Sequence, residues 1–263
     1  DYLASLQDST PEPPTGDAAR LYDALCGDLH AHTDWSDGGS SIDELADAAT
    51  ALDQHWLTIT DHSPRLTVAN GLSAARLARQ IDRIAEHNAS SSGCRVLTGI
   101  EVDILDDGAL DQSAELLHRL DIVTASVHSK LAMNTAPMTR RMVAAVRNPR
   151  VNVLGHCTGR RVEGGRPRKQ STFDAETVFT ACRDHNTAVE INSRPERRDP
   201  PDDLIALARD LGCLFAIDSD AHAPGQLDFK VLGAERAARL GITADRIVTT
   251  WPADTVTEWA RSS

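Results

Sequence analysis

Several features that mark large classes of protein are missing from this chain of 263 residues. Its five cysteines have no tight spacing, which excludes a disulfide framework and favours reduced thiols in a cytoplasmic setting. No apolar run approaches the roughly 20 residues that cross a bilayer. The first residues also lack the basic region and the long apolar segment of a secretory signal. We therefore expect a cytoplasmic protein that does not enter a membrane.

A positive surface is also missing, because 27 Lys and Arg are set against 39 Asp and Glu, for a formal net charge of −12. Proteins that coat a nucleic-acid duplex with their own surface are usually basic. This chain should therefore repel phosphate unless a local cluster reverses the sign. Apolar residues reach 41%, which is enough for a large core and excludes disorder along the whole chain.

Residues 1–24 are predicted to be a lead-in, or a linker left from an upstream module. The segment Ser9–Gly16 is polar and rich in proline, and Asp17–Leu25 can form a short helix. The remaining length is compatible with one large domain. We therefore expect residues 25–263 to form a single domain.

From Gly27 onward, short apolar runs alternate with longer amphipathic patterns, which predicts repeated βα units. The predicted strands are Gly27–Ala31, Trp56–Thr60, Arg95–Ile100, Ile122–Val127, Val151–Gly155, Ala188–Ile191 and Cys213–Asp218, with an additional strand at Arg246–Thr250. The clearest helices are Ser41–Leu52, Ser73–Asn88, Met138–Arg147, Asp174–Asn186 and Pro201–Leu211. Ser41 followed by Glu44 forms a capping box signature. Seven such units predict an α/β fold in which helices surround a parallel sheet. A closed barrel is the more economical arrangement, and an open doubly wound sheet is the alternative.

Histidines and carboxylates follow almost every predicted strand. The carboxyl ends of parallel barrel strands meet on one rim, which is the rim that carries active sites, so these side chains should converge on one cleft. The six histidines concerned are His30, His32, His62, His128, His156 and His222, and the accompanying carboxylates include Asp37, Glu101 and Asp220.

Such a cluster needs counter-charge, because buried carboxylates repel one another and buried imidazoles without partners are costly. Divalent metals resolve both problems. His30 and His32 are two residues apart on a strand and so point to the same face. Imidazole combined with carboxylate suits zinc, manganese or iron better than magnesium or calcium. We therefore predict a site for divalent transition metals, with zinc or manganese ahead of iron.

Other polar residues have simpler interpretations. Four histidines fall in helices or connections and are predicted to be surface residues: His55, His87, His118 and His185. Cys157 follows a predicted ligand, but we expect it to pack as a small residue rather than to bind metal. Glu190 and Asn192 are expected to support the ligands, the alternative being that they are polar residues of the barrel interior.

The order of these residues resembles the polymerase and histidinol phosphatase (PHP) family. The motifs that carry the resemblance are His30-x-His32, Asp61-His62, Glu101, Ser126-Val127-His128, Gly155-His156 and Asp220-Ala221-His222. The segments Gly27–Gly38, Thr60–Ser63, Gly99–Leu105 and Gly155–Arg160 are most similar to the C-terminal PHP domain of bacterial family X DNA polymerases. The sequence contains no polymerase module, so the resemblance leaves open whether the chain acts alone.

This resemblance implies a distorted, TIM-like (βα)7 barrel over residues 25–263, with a trinuclear metal site at the C-terminal rim of the strands. The implied ligand sets are His30, His32, Glu101 and Asp220 for one metal, Glu101, His128 and His156 for a second, and Asp37, His62 and His222 for a third. The resemblance also implies catalytic roles for Glu101, Asp220 and His128.

The expected chemistry is hydrolysis of a phosphate ester, because metals lower the pKa of bound water and neutralise charge on phosphoryl oxygens. The first interpretation is a 3′–5′ exonuclease or an enzyme that processes 3′ ends in DNA repair, with single-stranded or damaged ends as its substrate. The alternative, favoured by the negative net charge, is a small-molecule phosphomonoesterase such as histidinol-phosphate phosphatase. A catalytically silent scaffold is a third interpretation, weakened because no expected ligand is missing.

One segment reverses the local charge. Residues 160–169, which directly follow the His156 motif, contain five positive groups and one negative group. We predict that this segment binds substrate phosphates, the alternative being a solvated loop. The predicted phosphate-binding residues are Arg160, Arg166, Arg168 and Lys169, together with Arg194 after the sixth strand; Arg197 and Arg198 lie on the same rim.

Overall fold

The computed structural model describes residues 13–164 and 167–262. Seven parallel strands follow one another around a single sheet in chain order. They are β1 (Gly27–Ala31), β2 (Trp56–Ile59), β3 (Arg95–Asp103), β4 (Ile122–Ser126), β5 (Val153–Leu154), β6 (Ala188–Asn192) and β7 (Phe215–Asp218). The predicted alternation of strands and helices is thereby confirmed.

Helices connect the strands and pack outside them. In the described part of the chain they are α1 (Gly16–Asp23), α2 (Ile42–Ala51), α3 (Ala74–Ser90), α4 (Ala114–Leu117), α5 (Thr135–Val146), α6 (Ala175–Asp184), α7 (Asp202–Asp210), α8 (Lys230–Arg239) and α9 (Ala253–Arg261). The predicted capping box is present, since the Ser41 side chain accepts from the Glu44 amide while the Glu44 carboxylate accepts from the Ser41 amide. None of the helices in the described residues is both long and apolar enough to span a membrane.

The barrel is nearly closed, and buried side chains hold its seam between β1 and β7. The Leu29 amide donates to Asp218 Oδ1 at 3.0 Å, and the Ser219 amide lies 3.3 Å from the Asp28 carboxylate. Beyond them, Ala31 and Ala221 form a single parallel bridge. The seam brings the chain after β1 against the chain after β7, so two motifs about 190 residues apart share one rim.

Every residue of β1, β2, β4, β6 and β7 is buried. Parallel strands covered by helices on the outside and filled by side chains on the inside are expected to be buried on both faces. Apolar residues such as Ile100, Val123 and Ile217 belong to the core between barrel and helices. The polar residues of the strands therefore lie in the barrel interior, which is where the site is built.

Several predicted boundaries need correction. Arg246–Thr250 is not a strand: it forms parts of two 3-10 turns, and its Ile247 makes one isolated bridge to Phe215. The strand at β5 is only two residues long, while β3 continues to Asp103. Helix α5 begins at Thr135, because Pro137 is tolerated in the first turn of a helix. Residues 1–12 of the predicted lead-in lie outside the described residues.

The end of the predicted lead-in packs against the barrel. Leu21 is buried in the main core, and the Tyr22 hydroxyl donates to the Asp228 carboxylate just before α8. The boundary between a linker at residues 1–24 and a domain at residues 25–263 stays a prediction.

Candidate metal centre

The six histidines predicted to converge do so on the rim formed by the strand ends. The ring centroid of His32 lies 4.4 Å from that of His62 and 4.3 Å from that of His222. On the other side, the His128 and His156 rings lie 5.3 Å apart. Because the six side chains come from five strand ends, only the barrel can bring them together.

Glu101, from β3, lies at the middle of this cluster and is buried. Its Oε1 lies 2.8 Å from His156 Nε2 and 3.1 Å from His128 Nε2. Its Oε2 lies 2.8 Å from His62 Nδ1 and 3.4 Å from His30 Nε2. His32 Nε2 lies 3.7 Å from the same Oε2. The carboxylate therefore faces five imidazoles, two on Oε1 and three on Oε2, which is the arrangement needed for a group that serves two metals at once.

The residues present fit divalent metals. Among the described residues, buried ring nitrogens on five of the histidines have no hydrogen-bond partner, and neither does Glu101 Oε1. Buried polar atoms are nearly always satisfied, so a group of orphans facing one another needs an outside partner. Neutral imidazole nitrogens and carboxylate oxygens are the donors that zinc, manganese and iron accept. The nitrogens concerned belong to His30, His32, His62, His128 and His156.

Four overlapping groups of potential ligands have donor atoms within 4.8 Å of one another: His32, Asp37, His62 and His222; His30, His32 and Glu101; His30, His156 and Asp220; and His62, Glu101 and His128. Together they contain all nine predicted ligands. The first group contains the predicted third set, with His32 added. The other three groups combine the ligands differently from the first and second predicted sets. The assignment of each ligand to one metal therefore stays a prediction.

Asp37 is the most exposed of the nine and approaches from the loop after β1. Its Oδ1 lies 3.5 Å from Nε2 of both His62 and His222. Buried Asp61 holds the loop by accepting from the Thr33 amide at 2.8 Å and from the Ser36 hydroxyl. In the sequence, Asp61 stands out only as part of the Asp61-His62 motif; in the structure it anchors the loop that presents Asp37.

A second layer of side chains orients the ligands. Glu190 Oε1 lies 2.5 Å from His30 Nδ1, and Asp103 Oδ1 lies 2.9 Å from His128 Nδ1. Asn192 donates from Nδ2 to Asp220 Oδ2 at 3.0 Å. Such partners fix the orientation of imidazoles and carboxylates that bind metal. The structure thus places Glu190 and Asn192 as the sequence predicts and adds Asp103, whose only sequence signal is its position at the end of β3.

Two arginines enter the centre from the loop after β6. Arg194, one of the predicted phosphate-binding residues, donates to Glu196 at 2.6 Å and to the Asp220 carbonyl at 3.0 Å, and its Nη1 lies 2.7 Å from His222 Nδ1. Arg197 Nε lies 3.0 Å from Asp220 Oδ2, while its Nη1 is buried without a hydrogen-bond partner among the described residues. Arg197 therefore has an unpartnered donor beside the predicted ligands. The sequence places Arg197 on this rim but gives no signal that its side chain turns inward.

The other predicted phosphate-binding residues lie outside the cluster of ligands. Arg160 turns away from it and donates to the carbonyls of Arg197 and Arg198. Arg161 and Arg168 exchange backbone hydrogen bonds at 2.9 and 3.0 Å and so form an antiparallel bridge. The basic segment, residues 160–169, is called the basic hairpin below. Arg168 and Lys169 are exposed at its base. Arg166 lies outside the described residues.

The Val162 amide donates to the Glu196 carbonyl at 2.8 Å, and Arg198 donates to the Glu163 carboxylate at 2.6 Å. The basic hairpin is therefore docked on the loop after β6 that supplies Arg194 and Arg197. Whether this hairpin binds substrate phosphates or is only a solvated surface stays a prediction.

One of the four predicted surface histidines is buried. His87 on α3 is 5% exposed, and its Nδ1 lies 2.6 Å from Asp43 Oδ1 on α2. The other three are exposed as predicted: His55, His118 and His185. Cys157 is buried in the apolar core, in agreement with the prediction that it packs.

The charges of the cluster compensate one another. Burial would raise the pKa of Glu101, but His128, His30 and His62 hold that pKa well below its ordinary value. Burial would lower the pKa of His30, but the carboxylates of Glu190, Glu101 and Asp220 raise it well above the ordinary value. The same opposition raises the pKa of His62 to about 10. Metal binding at these imidazoles is therefore expected to depend on pH, because metal and proton compete for the same nitrogens.

A nearly closed parallel barrel with a buried cluster of histidines and carboxylates on its rim defines a class of metal-dependent hydrolases. The family model described as PHP domain matches residues 28–194. The chain belongs to the PHP family, and the predicted enzyme class, a metal-dependent phosphoesterase, is confirmed with it.

Similar proteins include one named as an exonuclease and others named as probable phosphatases. The chain is 39% identical over 222 residues to the DNA polymerase/3′-5′ exonuclease PolX of Bacillus subtilis, a match that covers 84% of this chain but only 38% of that protein. It is 30% identical to a protein of Vibrio parahaemolyticus named as a probable phosphatase, over 85% of this chain and 88% of the relative.

A solved structure shares the fold. It is histidinol phosphate phosphatase from Lactococcus lactis, in complex with zinc, L-histidinol and phosphate. The TM-score is 0.56 at 17% identity, over 82% of this chain and 92% of the other.

Proposed function

We propose that this chain hydrolyses phosphate esters of nucleic acid, as a 3′–5′ exonuclease or an enzyme that processes 3′ DNA ends. The observation that carries the proposal is the basic hairpin docked beside the centre through the Val162 amide and Arg198. A polynucleotide extends beyond the bond being cut, so its neighbouring phosphates need positive partners outside the ligand cluster. The 39% identity to PolX supports the same substrate class.

We further propose that the nine predicted residues hold two or three divalent metals, zinc or manganese. When bound, such metals supply Lewis acidity and lower the pKa of coordinated water. Glu101 is placed to serve two of them because its Oε1 faces two imidazoles and its Oε2 faces three. Asp220 is held for this task by Asn192 and by Arg197, and it is itself buried.

The arginines of the centre have different tasks in this proposal. Arg197 directs its unpartnered Nη1 to a phosphoryl oxygen, where a fixed positive charge stabilises the charge that develops during hydrolysis. Arg194 is already engaged by Glu196 and the Asp220 carbonyl, so it positions His222 and Asp220. The predicted catalytic role of His128 rests on its 2.9 Å contact with Asp103, through which the imidazole can keep a proton on Nδ1.

A second candidate function is a phosphomonoesterase that acts on a small metabolite. Its support is the net charge of −12 and the 88% coverage of the Vibrio relative, which leaves little of that protein unmatched. A small ester needs one or two cationic contacts, and Arg197 alone could provide one inside the centre.

One experiment separates the two functions. Metal-loaded protein is incubated in parallel with end-labelled single-stranded oligonucleotides and with histidinol phosphate. Label at the 5′ end should yield a ladder of shortened products if hydrolysis proceeds from the 3′ end. Rapid release of phosphate from histidinol phosphate with intact oligonucleotides would contradict the proposal and establish the second function.

A further inference from the structure

His222 differs from other predicted ligands in the group that its second ring nitrogen meets. In His30 the second nitrogen, Nδ1, lies 2.5 Å from a buried carboxylate oxygen of Glu190. In His222 it lies 2.7 Å from Arg194 Nη1, which belongs to a cation. Imidazoles that bind metal nearly always donate their second N–H to a carboxylate, a carbonyl or water. A guanidinium has donors and no acceptor, so it is the wrong partner for such a ligand.

The Asp220 carbonyl is the other group that His222 Nδ1 can meet, at 2.9 Å. The same carbonyl already accepts from Arg194 Nη1 at 3.0 Å. If His222 donates from Nδ1 to this carbonyl, two protonated nitrogens lie 2.7 Å apart with no acceptor between them, which is repulsive. If Arg194 donates to Nδ1 instead, the proton of the neutral imidazole lies on Nε2. The position of Arg194 therefore favours the second arrangement.

Nε2 is the nitrogen that His222 directs toward the other ligands. It lies 3.5 Å from Asp37 Oδ1, within the group that also contains His32 and His62. A proton on Nε2 occupies the lone pair that a metal needs. The fixed positive charge of Arg194 on the other side of the ring also repels a dication. Arg194 thus opposes metal binding at His222 in two ways.

Arg194 is held firmly in this position. Its side chain is buried, and Nε donates to Oε1 of the equally buried Glu196 at 2.6 Å. The Glu196 carbonyl accepts from the Val162 amide at 2.8 Å, which ties the backbone of the pair to the basic hairpin. Separating a buried guanidinium from its counter-ion is costly. Freeing His222 Nδ1 therefore requires that a braced contact be broken.

We propose that Arg194 makes His222 a conditional ligand, so that the outer position, formed by Asp37, His62 and His222, binds metal more weakly than the rest of the centre. The inference rests on the proposed metal centre and adds an order of affinities to it. Asp37 and His222 are also the most exposed of the predicted ligands, with side chains 34% and 22% exposed. Water around them raises the effective dielectric constant and weakens their attraction for a metal.

The first test is a calorimetric titration of manganese chloride into metal-free protein. In the wild type, one metal should bind at least about tenfold more weakly than the others. The double variant Arg194→Met/Glu196→Gln removes the buried ion pair as a unit and leaves neither charge alone. It should strengthen the weakest binding event by about tenfold.

The matched control is Arg95→Met/Asp254→Asn, which removes an ion pair at the start of β3, on the opposite rim. It should reproduce the wild-type titration. A weakest event that does not strengthen in Arg194→Met/Glu196→Gln would overturn the proposal, and so would an equal strengthening in the control.

A second measurement requires no metal. Nitrogen NMR chemical shifts of the imidazoles in metal-free protein report which ring nitrogen carries the proton, and the His222 signals are identified by their loss in His222→Gln. The proton should lie on Nε2 in the wild type and on Nδ1 in Arg194→Met/Glu196→Gln. A proton on Nδ1 in the wild type would overturn the proposal even if the double variant does not fold. Because neither metal nor hydrolysis enters this readout, failure of the proposed function is recognised separately.

Discussion

Glu190 Oε1 lies 2.5 Å from His30 Nδ1, while Oε2 of the same carboxylate accepts a hydrogen bond from the His156 amide. One buried side chain on β6 therefore touches the chain at two strand ends, β1 and β5. The contact with His30 fixes which ring nitrogen faces Glu101, and the contact with His156 fixes the backbone that carries a second imidazole. Glu190 is thus placed to tune metal affinity without being a ligand.

Replacing Glu190 with Gln should lower metal affinity by about 10- to 100-fold, because the outer partner of His30 loses its charge. The measurement is a competition titration with a chromogenic chelator. Glu176→Gln, at an exposed position on α6, is the matched control and should leave affinity unchanged. Equal affinity in Glu190→Gln and the wild type would show that the interaction is only structural.

Protein purified without chelator should contain two or three transition metals per chain, because nine potential ligands form four overlapping groups. Elemental analysis measures the content directly. Chelation should abolish phosphoesterase activity, and zinc or manganese should restore it. Less than one metal per chain, unchanged after soaking with either ion, would contradict a centre of this kind.

Glu101→Ala should reduce both metal content and turnover, the latter by about 100-fold or more, because the residue is placed to serve two metals. The barrel core does not depend on this side chain, so the circular dichroism spectrum should stay that of the wild type. Near-normal turnover in this variant would show that the centre does not depend on Glu101.

The triple variant Arg166→Ala/Arg168→Ala/Lys169→Ala should weaken oligonucleotide processing and flatten its salt dependence. Each substrate phosphate left without its cationic partner should reduce the slope by about 0.7 log units per log unit of salt on a single strand. Hydrolysis of a small chromogenic ester should change little. The matched control replaces Arg147, Arg183 and Arg209, which lie at helix C-termini on the opposite rim.

Oligonucleotide cleavage unaffected by the triple variant would show that the hairpin is only a solvated surface. Loss of both activities together would instead place these side chains in the core phosphate site and favour the small-molecule phosphatase.

Asp202 should make the free energy of unfolding depend on pH in the acid range. Hydrogen bonds from Arg239 and Arg236 outweigh its partial burial and hold its pKa below the ordinary value of 3.8. A depressed folded-state pKa contributes stability above the unfolded-state value, and that contribution disappears as the pH falls through the folded-state pKa. Asp202→Asn should therefore be less stable than the wild type at pH 7, with the difference shrinking below about pH 4. Urea unfolding of metal-stripped protein at several pH values measures this difference in the free energy of unfolding. A difference that stays constant down to pH 3 would contradict a lowered pKa of Asp202.

Much of the site could be predicted from sequence because its signals are local. Almost every apolar run ends in or beside a histidine or carboxylate, and a parallel barrel has only one rim where the carboxyl ends of its strands meet. The six histidines could therefore be named, and the resemblance to the PHP family implied the full set of nine ligands; eight of the nine are buried or half-buried. The same reasoning failed at residues 246–250. There the Thr249 carbonyl accepts from the Cys26 amide and the Thr249 hydroxyl accepts from the Ile217 amide, so this segment braces the seam as a turn.

The order of strands and helices, the residues at the strand ends and their chemical type could all be predicted, because they depend on periodicity and on neighbours in the chain. Which arginine turns inward could not. Arg160 and Arg197 are equally basic and both follow strand ends, but Arg160 is drawn to backbone carbonyls while Arg197 is drawn to Asp220. Likewise, His87 is buried because α2 places Asp43 against it. Contacts between distant segments set these outcomes in the folded protein, and no local pattern records them.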